Sequence, residues 1–276
     1  KLPDNGRDKN RIGGITLADG TAFGRTAEGE PLYRYYGYVV DHIIETQEQA
    51  DNAMYDSSAK GYRPSDGKNI AGRKEIGDYE WKNREGSQTK DGKDYIDSQD
   101  QFLLGYTVPH STGGLNNNFT YKNFTLNIFV DWALGHSINN NSEMRYFMNT
   151  FANNYTLIDE VKQCWKQPGD NTKYARFTAN DPDDGNANFS RTSNVFNYKG
   201  DYLCIREISL QYNVPTNKLT KLGIQNLAIT LAGNNLHYFT AVKGVSPEVG
   251  ASTTYNKDYY NYPPIRKYSV GVKVTF

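Results

Sequence analysis

The feature that most constrains the fold is a strict alternation of residue types at the end of the chain. Every even position from 268 to 276 is apolar: Tyr268, Val270, Val272, Val274 and Phe276. The odd positions between them are small or polar. Because successive side chains of a β-strand point to opposite faces, the pattern predicts a strand with one wholly apolar face. Such a strand suits either a half-buried sheet in water or the wall of a membrane barrel.

Weaker copies of this alternation recur upstream. They cover residues 118–121, 124–131, 208–214 and 227–232, and a Tyr-rich stretch from Leu32 to Asp41 has a poorer pattern. Helical periodicity is confined to Ser142–Trp165, where apolar residues recur at steps of three and four. The sequence therefore predicts an all-β fold.

The connections between these strands differ greatly in length. Lys122-Asn123 is a tight hairpin turn and Pro215–Gly223 is a short link. The long connections are His42–Pro109, Gly135–Gly200 and His237–Ile265. If neighbouring strands are antiparallel, all long connections lie at one end of the sheet. Transmembrane barrels segregate short turns and long loops in this way, whereas a soluble β-sandwich, the open alternative, has no reason to do so.

Composition excludes several classes of protein. The chain has 276 residues, with 31 Lys and Arg against 31 Asp and Glu, and this balance argues against a nucleic-acid binder. A membrane-spanning helix needs a run of about 18 apolar residues or more, and the sequence has none. A barrel strand needs apolar residues only at alternate positions. Two cysteines, Cys164 and Cys204, could pair or remain free.

Five segments carry a family resemblance. They are Glu30–Asp41 (EPLYRYYGYVVD), Tyr121–Phe129 (YKNFTLNIF), Gly200–Pro215 (GDYLCIREISLQYNVP), the landmarks LGI, GNNL and PEV between Leu222 and Val249, and Tyr262–Tyr268 (YPPIRKY). In this order they resemble the C-terminal part of SusC/RagA-type TonB-dependent outer-membrane transporters.

The resemblance implies an antiparallel transmembrane β-barrel with long extracellular loops in the bacterial outer membrane. Transporters of this kind close about 22 strands around a plug, and residues 1–276 would form roughly the last third of that barrel, without the plug. The implied partners are a SusD-like surface lipoprotein, the remaining barrel strands, membrane lipid, and TonB through the absent plug. The implied activity is uptake of oligosaccharides or oligopeptides, with no enzyme chemistry and no cofactor. Phe276 resembles the terminal aromatic of a barrel-assembly signal.

The candidate metal sites are weak. Thr89–Asp100 lies where the family often has an EF-hand-like loop, but Lys93 occupies a ligand position and Asp94 replaces the turn glycine. A cation there repels calcium, so we predict no calcium site. The four histidines lack partners at ligand spacing, and we predict no zinc site; they are His42, His110, His136 and His237.

The strongest candidate for ligand contact is the last long connection, which packs tyrosines among Asn and Asp. The candidate residues are Tyr255, Asn256, Asp258, Tyr259, Tyr260 and Tyr262. Flat rings stack on sugars or peptides, and amide and carboxylate groups hydrogen-bond them. The same tyrosines would equally suit an aromatic girdle at the membrane boundary.

Two other functions remain as alternatives. One is a soluble all-β carbohydrate-binding module. The other is a secreted β-rich hydrolase, whose candidate carboxylates would be Asp97, Asp100, Asp181, Asp183 and Asp184. The Asn- and Gly-rich surroundings of the last three are typical of solvated turns. Because the chain begins Lys1-Leu2-Pro3 without a leader, we expect a piece of a longer protein.

Overall fold

The computed structural model describes residues 34–56, 74–84, 94–96, 100–148, 157–178, 188–219, 223–248 and 264–276, together with the backbone of four short strands near the N-terminus. The chain divides into two compact units. We call residues 1–107, 137–198 and 250–260 the connection unit. We call residues 108–136, 199–249 and 261–276 the sheet unit.

The described strands, numbered in chain order, are β1 (Arg11–Ile12), β2 (Ile15–Thr16), β3 (Ala22–Phe23), β4 (Thr26–Ala27), β5 (Arg34–Gly37), β6 (Val40–Ile43), β7 (Tyr55–Asp56), β8 (Tyr79–Trp81), β9 (Tyr95–Ile96), β10 (Phe102–Tyr106), β11 (Ser111–Tyr121), β12 (Phe124–Leu134), β13 (Ser137–Asn139), β14 (Asn197–Lys199), β15 (Tyr202–Asn213), β16 (Asn226–Thr240) and β17 (Lys267–Thr275). The helices are α1 (Gln47–Asn52) and α2 (Asn141–Met148), with 3₁₀ turns at Asp159–Gln163, Asn194–Phe196 and Thr216–Lys218. None of the helices among the described residues combines the length and apolar character needed to cross a membrane.

The sheet unit is an antiparallel meander in the order β11-β12-β15-β16-β17. Its strands have 9 to 15 residues, enough for a tilted strand to cross a bilayer. The turn Lys122-Asn123 and the link from β15 to β16 lie at one end, where Asn226 also pairs with Thr275. All long connections leave from the other end. The predicted segregation of connection lengths is therefore confirmed for this sheet.

The register of the sheet gathers apolar residues into rows on one face. One row is Phe119, Leu126, Leu210, Leu231 and Val270, and the next is Tyr121, Phe124, Tyr212, Ile229 and Val272. The alternate rows lie on the opposite face and are small or polar: Asn118, Asn127, Ser209, Ala232 and Ser269, then Thr120, Thr125, Gln211, Thr230 and Gly271. We call these the apolar face and the polar face. The alternation in the sequence therefore produces a sheet with one apolar face and one polar face.

The connection unit has an ordinary aromatic core. Phe147 lies at its centre, stacked on Tyr174 with ring centroids 4.4 Å apart and packed against Phe196 at 5.2 Å. Tyr79 meets Trp81 edge to face at 5.3 Å. These side chains are almost completely buried. Short strands and turns therefore hold this unit together by packing their rings rather than by a large sheet.

Two sequence predictions fail in the connection unit. The stretch Leu32–Asp41 does not form one wall strand: β5 pairs with β10, β6 pairs with β8, and Tyr38 bridges to Ser193 between them. Burial on both faces of β5 explains its poor alternation.

Among the described residues, the helix predicted over Ser142–Trp165 is right at its start and wrong at its end. α2 is described as far as Met148, Asp159–Gln163 forms a 3₁₀ turn, and Cys164 and Trp165 are not helical. Cys164 instead forms an isolated β-bridge with Tyr174, and the backbone N–H of Trp165 donates to the Tyr174 carbonyl at 2.9 Å. Backbone pairing with the segment around Tyr174 has overridden the local periodicity at this end.

Candidate functional site

The polar face is interrupted by a β-bulge between β15 and β16. The register shifts between Ile205 and Glu207, so that Arg206 lies opposite two residues, Asn235 and Leu236. Asn235 takes a φ of 52°, which Asn tolerates better than most residues. Bulges re-aim side chains, and here the bulge brings a charged group into the centre of a hydrogen-bonded cluster.

Arg206 binds side chains from two other strands and one connection. Its Nε and Nη2 donate to the two carboxylate oxygens of Asp131 at 2.9 and 2.7 Å, and Nη1 donates to Asn235 Oδ1 at 2.9 Å and Tyr238 Oη at 3.1 Å. Nη2 also donates to Glu248 Oε1. We call these five residues the Arg206 clasp. A bidentate arginine with a second carboxylate is among the stronger polar arrangements in proteins.

The clasp is shielded but not sealed from water. The side chains of Arg206, Asp131 and Glu248 are 25%, 20% and 26% exposed. One guanidinium faces two carboxylates. Partial burial strengthens these ion pairs relative to pairs fully in water, and removing one partner leaves the others incompletely compensated.

The segment Thr240–Glu248, which begins the long connection to β17, has a second anchor. Thr240 Oγ1 donates to the Asp201 carbonyl at 2.9 Å, and Asp201 Oδ1 accepts from the Gly135 N–H at 2.6 Å. Val242 N donates to Thr240 Oγ1 at 3.2 Å. The segment is therefore tied at its start by hydrogen bonds and at its end by the clasp.

His136 lies beside this second anchor. Its carbonyl accepts from the Gly200 N–H at 2.8 Å, and a Cβ at Gly200 would lie 2.4 Å from His136 Nε2, so only glycine fits there. Burial lowers the pKa of His136, while the Pro247 carbonyl and Asp201 act in the opposite direction. A buried neutral imidazole is the consequence.

The connection unit has a half-buried acid of its own, Glu143. Glu143 accepts from Tyr174 Oη at 3.1 Å and from Tyr198 Oη at 2.7 Å. Burial, reinforced by Glu143, raises the pKa of both phenols. Both phenols therefore stay protonated at neutral pH, and each donates a hydrogen bond to Glu143.

The predicted residues fall into two groups. The ligand candidates Tyr255, Asn256, Asp258, Tyr259, Tyr260 and Tyr262 lie outside the described residues. Tyr268, Val270, Val272 and Val274 lie on the edge strand β17, whose residues are all exposed, and Phe276 follows that strand. The role of Phe276 as an assembly signal stays a prediction.

The candidate metal and catalytic carboxylates are also only partly described. Asp100 is fully buried and accepts from the Arg84 N–H at 2.7 Å, whereas Asp97, Asp181, Asp183 and Asp184 lie outside the described residues. Within the ranges that the structure covers, no three His, Cys, Asp or Glu side chains cluster as metal ligands.

The two cysteines are both buried and both free thiols. Burial raises the pKa of Cys164 to about 12. That thiol is therefore unreactive at neutral pH.

Sequence reasoning missed the clasp as a unit. The landmarks GNNL and PEV already contained Asn235 and Glu248, and Arg206 is a charge within an otherwise alternating strand. Nothing in the sequence indicates that these residues meet, because the bulge and the cross-strand register bring them together.

The fold and its polar cluster define a class. An antiparallel sheet with an exposed apolar face, a polar face carrying charges, and long connections at one end is typical of outer-membrane barrel walls.

Comparisons with known proteins agree. TonB-dependent receptor P3 of Formosa agariphila is 28% identical over 194 residues, which are 67% of this chain and 18% of that receptor. TonB-dependent receptor P39 of the same organism is 27% identical over 200 residues, covering 68% of this chain and 18% of the receptor. No family model matches the chain.

Solved structures show the same fold. The RagAB peptide transporter matches with a TM-score of 0.61 and 17% identity, over 90% of this chain and 23% of that one. The RagAB peptide importer in its closed-closed state matches with a TM-score of 0.55 and 18% identity, with the same coverage. The predicted relationship to TonB-dependent outer-membrane transporters is confirmed, and with it the outer-membrane localisation. The chain spans less than a fifth of the curated relatives that it matches.

Proposed function

We propose that this chain forms part of the barrel wall of a SusC/RagA-type, TonB-dependent nutrient importer. The observation that carries the proposal is the exposed apolar face of the five-stranded sheet. Leu231, in an inner strand, is 52% exposed, and Val270 beside it is 72% exposed. Water penalises such rows, whereas lipid hydrocarbon does not.

The polar face then lines the lumen, and β11 and β17, the edge strands among the described residues, pair with barrel strands that lie elsewhere in the protein. An unpaired strand edge is not tolerated in hydrocarbon. By the family resemblance, the complete barrel has about 22 strands, of which residues 1–276 supply roughly the last third. The plug, and through it the contact with TonB, lies outside this chain.

The long connections face the cell exterior in this proposal. They form part of the rim and meet a SusD-like lipoprotein that closes over the barrel. The nutrient is an oligosaccharide or an oligopeptide. The likeness to the RagAB peptide transporter supports the oligopeptide. The proposed contacts are Tyr255, Asn256, Asp258, Tyr259, Tyr260 and Tyr262.

Neighbouring cysteine substitutions test the wall directly. In the full-length protein with Cys164 and Cys204 replaced by Ser, we expect Ser269→Cys to react with a hydrophilic maleimide and Val270→Cys to react only with a lipid-soluble one. The two residues differ by one position, so each controls for the other. Equal labelling of both by the hydrophilic reagent would show that the apolar face lies in water and would favour the soluble carbohydrate-binding module.

Uptake tests the activity. Cells expressing the full-length protein should import a labelled oligopeptide mixture or a labelled oligosaccharide mixture, and import should stop when TonB is deleted. Uptake of neither mixture, with the protein correctly assembled in the outer membrane, would refute the proposed transport function.

A further inference from the structure

The Arg206 clasp joins parts of the chain that the fold alone does not require to meet. Asp131 comes from β12, Arg206 from β15, and Asn235 and Tyr238 from β16. Glu248 comes from the connection that follows β16. The sheet already has its backbone hydrogen bonds, so an ion pair to Glu248 adds nothing to the ladder. What it fixes is the position of the connection.

The geometry points to a positioning role: we propose that Arg206, through Glu248, holds the segment Thr240–Glu248 against the polar face of the sheet. That this face borders the transport path rests on the proposed function, whereas the attachment itself rests on the contacts alone. The segment is then held in a fixed position beside the transport path, and the long connection to β17 continues from it.

Three observations indicate that the segment Thr240–Glu248 is held in a fixed position. Val242 and Pro247 are buried although they lie outside any strand. The segment is tied at both ends, at Thr240 to Asp201 and at Glu248 to Arg206. Within it, the Glu248 N–H donates to Ser246 Oγ at 3.1 Å, which turns the backbone so that the Glu248 carboxylate reaches the guanidinium.

The chemistry of the pair explains why arginine stands at the bulge. One planar guanidinium can bind Asp131 in a bidentate manner and still donate to Glu248 and Asn235, whereas a lysine offers a single ammonium. Arg206 therefore couples the register of three strands to the connection. Glu248 is the partner whose loss leaves the strand contacts in place.

Lys243 provides a measurable readout because it is an exposed trypsin site inside the segment. In the purified full-length protein, we expect Glu248→Gln to speed cleavage after Lys243 roughly tenfold, the effect of losing one hydrogen bond between charged groups. The matched control is Glu207→Gln, because Glu207 lies on the same sheet and accepts from Asn234 Nδ2 at 3.3 Å without contacting the segment. Its cleavage rate should equal that of the wild type.

Salt separates an ion pair from simple packing. Raising the salt concentration from roughly 0.05 M to roughly 0.5 M screens partly exposed charges, so it should speed cleavage in the wild type and not in Glu248→Gln, after correction with a free peptide substrate for trypsin. Hydrogen exchange at the Val242 and Glu248 amides should show the same order of variants.

Three results would overturn the positioning role: equal cleavage of wild type and Glu248→Gln, an equal rise in Glu207→Gln, or the same salt response in both proteins. None of these measurements involves substrate or TonB. Failure of uptake in the wild type would therefore refute the importer function without affecting the positioning role. An unchanged cleavage rate in Glu248→Gln would refute the positioning role without affecting the importer function.

Discussion

The two units of the chain place their large apolar side chains in opposite positions. In the connection unit, Trp81 and Phe147 are 1% and 0% exposed. In the sheet unit, Phe119 and Val270 are 57% and 72% exposed. The first unit excludes water from its interior, and in the proposed barrel wall the second presents its apolar rows to lipid, so that both arrangements satisfy the same hydrophobic effect. A single chain can thus bury its large apolar side chains in one unit and expose them in another.

Charged groups follow one rule in both units. The connection unit buries the pair Lys74 and Glu80, and it pairs buried Asp78 with Arg176 at 2.6 Å. The sheet unit pairs Arg206 with Asp131 and Glu248 on its polar face. Burying a charge is costly unless it is paired. The units therefore differ in where they put apolar groups and agree in how they treat charge.

Deleting a ring should have its largest effect in the connection unit. Phe147→Ala should lower the free energy of unfolding of that unit by about 3–5 kcal/mol, since it removes apolar contacts and leaves a cavity. The matched change on the apolar face, Phe119→Ala, should cost only about 1–2 kcal/mol, because lipid chains fill the space and only the transfer free energy is lost. Denaturant-dependent hydrogen exchange at the Trp165 amide and at amides of β11 measures each. Equal losses would remove the contrast between the units.

A charge placed on the sheet should distinguish its two faces. Leu231→Arg should destabilise the membrane-inserted protein by about 2–4 kcal/mol, the range for arginine on a lipid face near the bilayer centre. Thr230→Arg, one residue away on the polar face, should change stability by less than about 1 kcal/mol. The fraction that migrates as folded barrel on unheated gels, titrated with urea, measures both. Indifference of the protein to Leu231→Arg would mean that this face does not meet hydrocarbon.

The contrast also explains how far the sequence could predict the fold. The strands of the sheet unit could be predicted because apolar and polar residues alternate along them, which leaves a period of two in the sequence. β5 was misjudged because Arg34, Tyr35 and Gly37 are buried on both faces. Burial without a preferred side leaves no alternation to detect.

Contacts outside the local periodicity limit what could be predicted for the rest. The end of the helix predicted through Trp165 is replaced by a β-bridge between Cys164 and Tyr174, which a pattern of steps of three and four does not indicate. The clasp was hidden for a related reason. Its members are separated by up to 117 positions between Asp131 and Glu248 (248 minus 131), and only the register and the bulge bring them to one place. The charged and polar residue types of the clasp are evident in the sequence, but the contacts between these residues could not be predicted from it.

The smallest predicted effect is the pH dependence of local stability around His136, just after the end of β12. The pKa of His136 is lowered in the folded protein, chiefly by burial, against the weaker opposing influence of the Pro247 carbonyl and Asp201. The unfolded chain takes up a proton near the ordinary pKa of about 6.5, and the folded one only at lower pH. Between these values the unfolded state binds more protons, so local stability falls as pH drops below about 6.5 and is complete above it.

The Gly200 amide, which donates to the His136 carbonyl, reports this directly. Its hydrogen-exchange protection, corrected for the intrinsic rate, should decrease on acidification in the wild type and stay flat in His136→Gln. Amides of Phe147 and Phe196 in the connection unit serve as controls, because acid should leave their protection unchanged over the same range. A flat profile for Gly200 in the wild type would mean that His136 is charged or solvated in the folded protein, and the anchor beside the clasp would then not depend on a neutral imidazole.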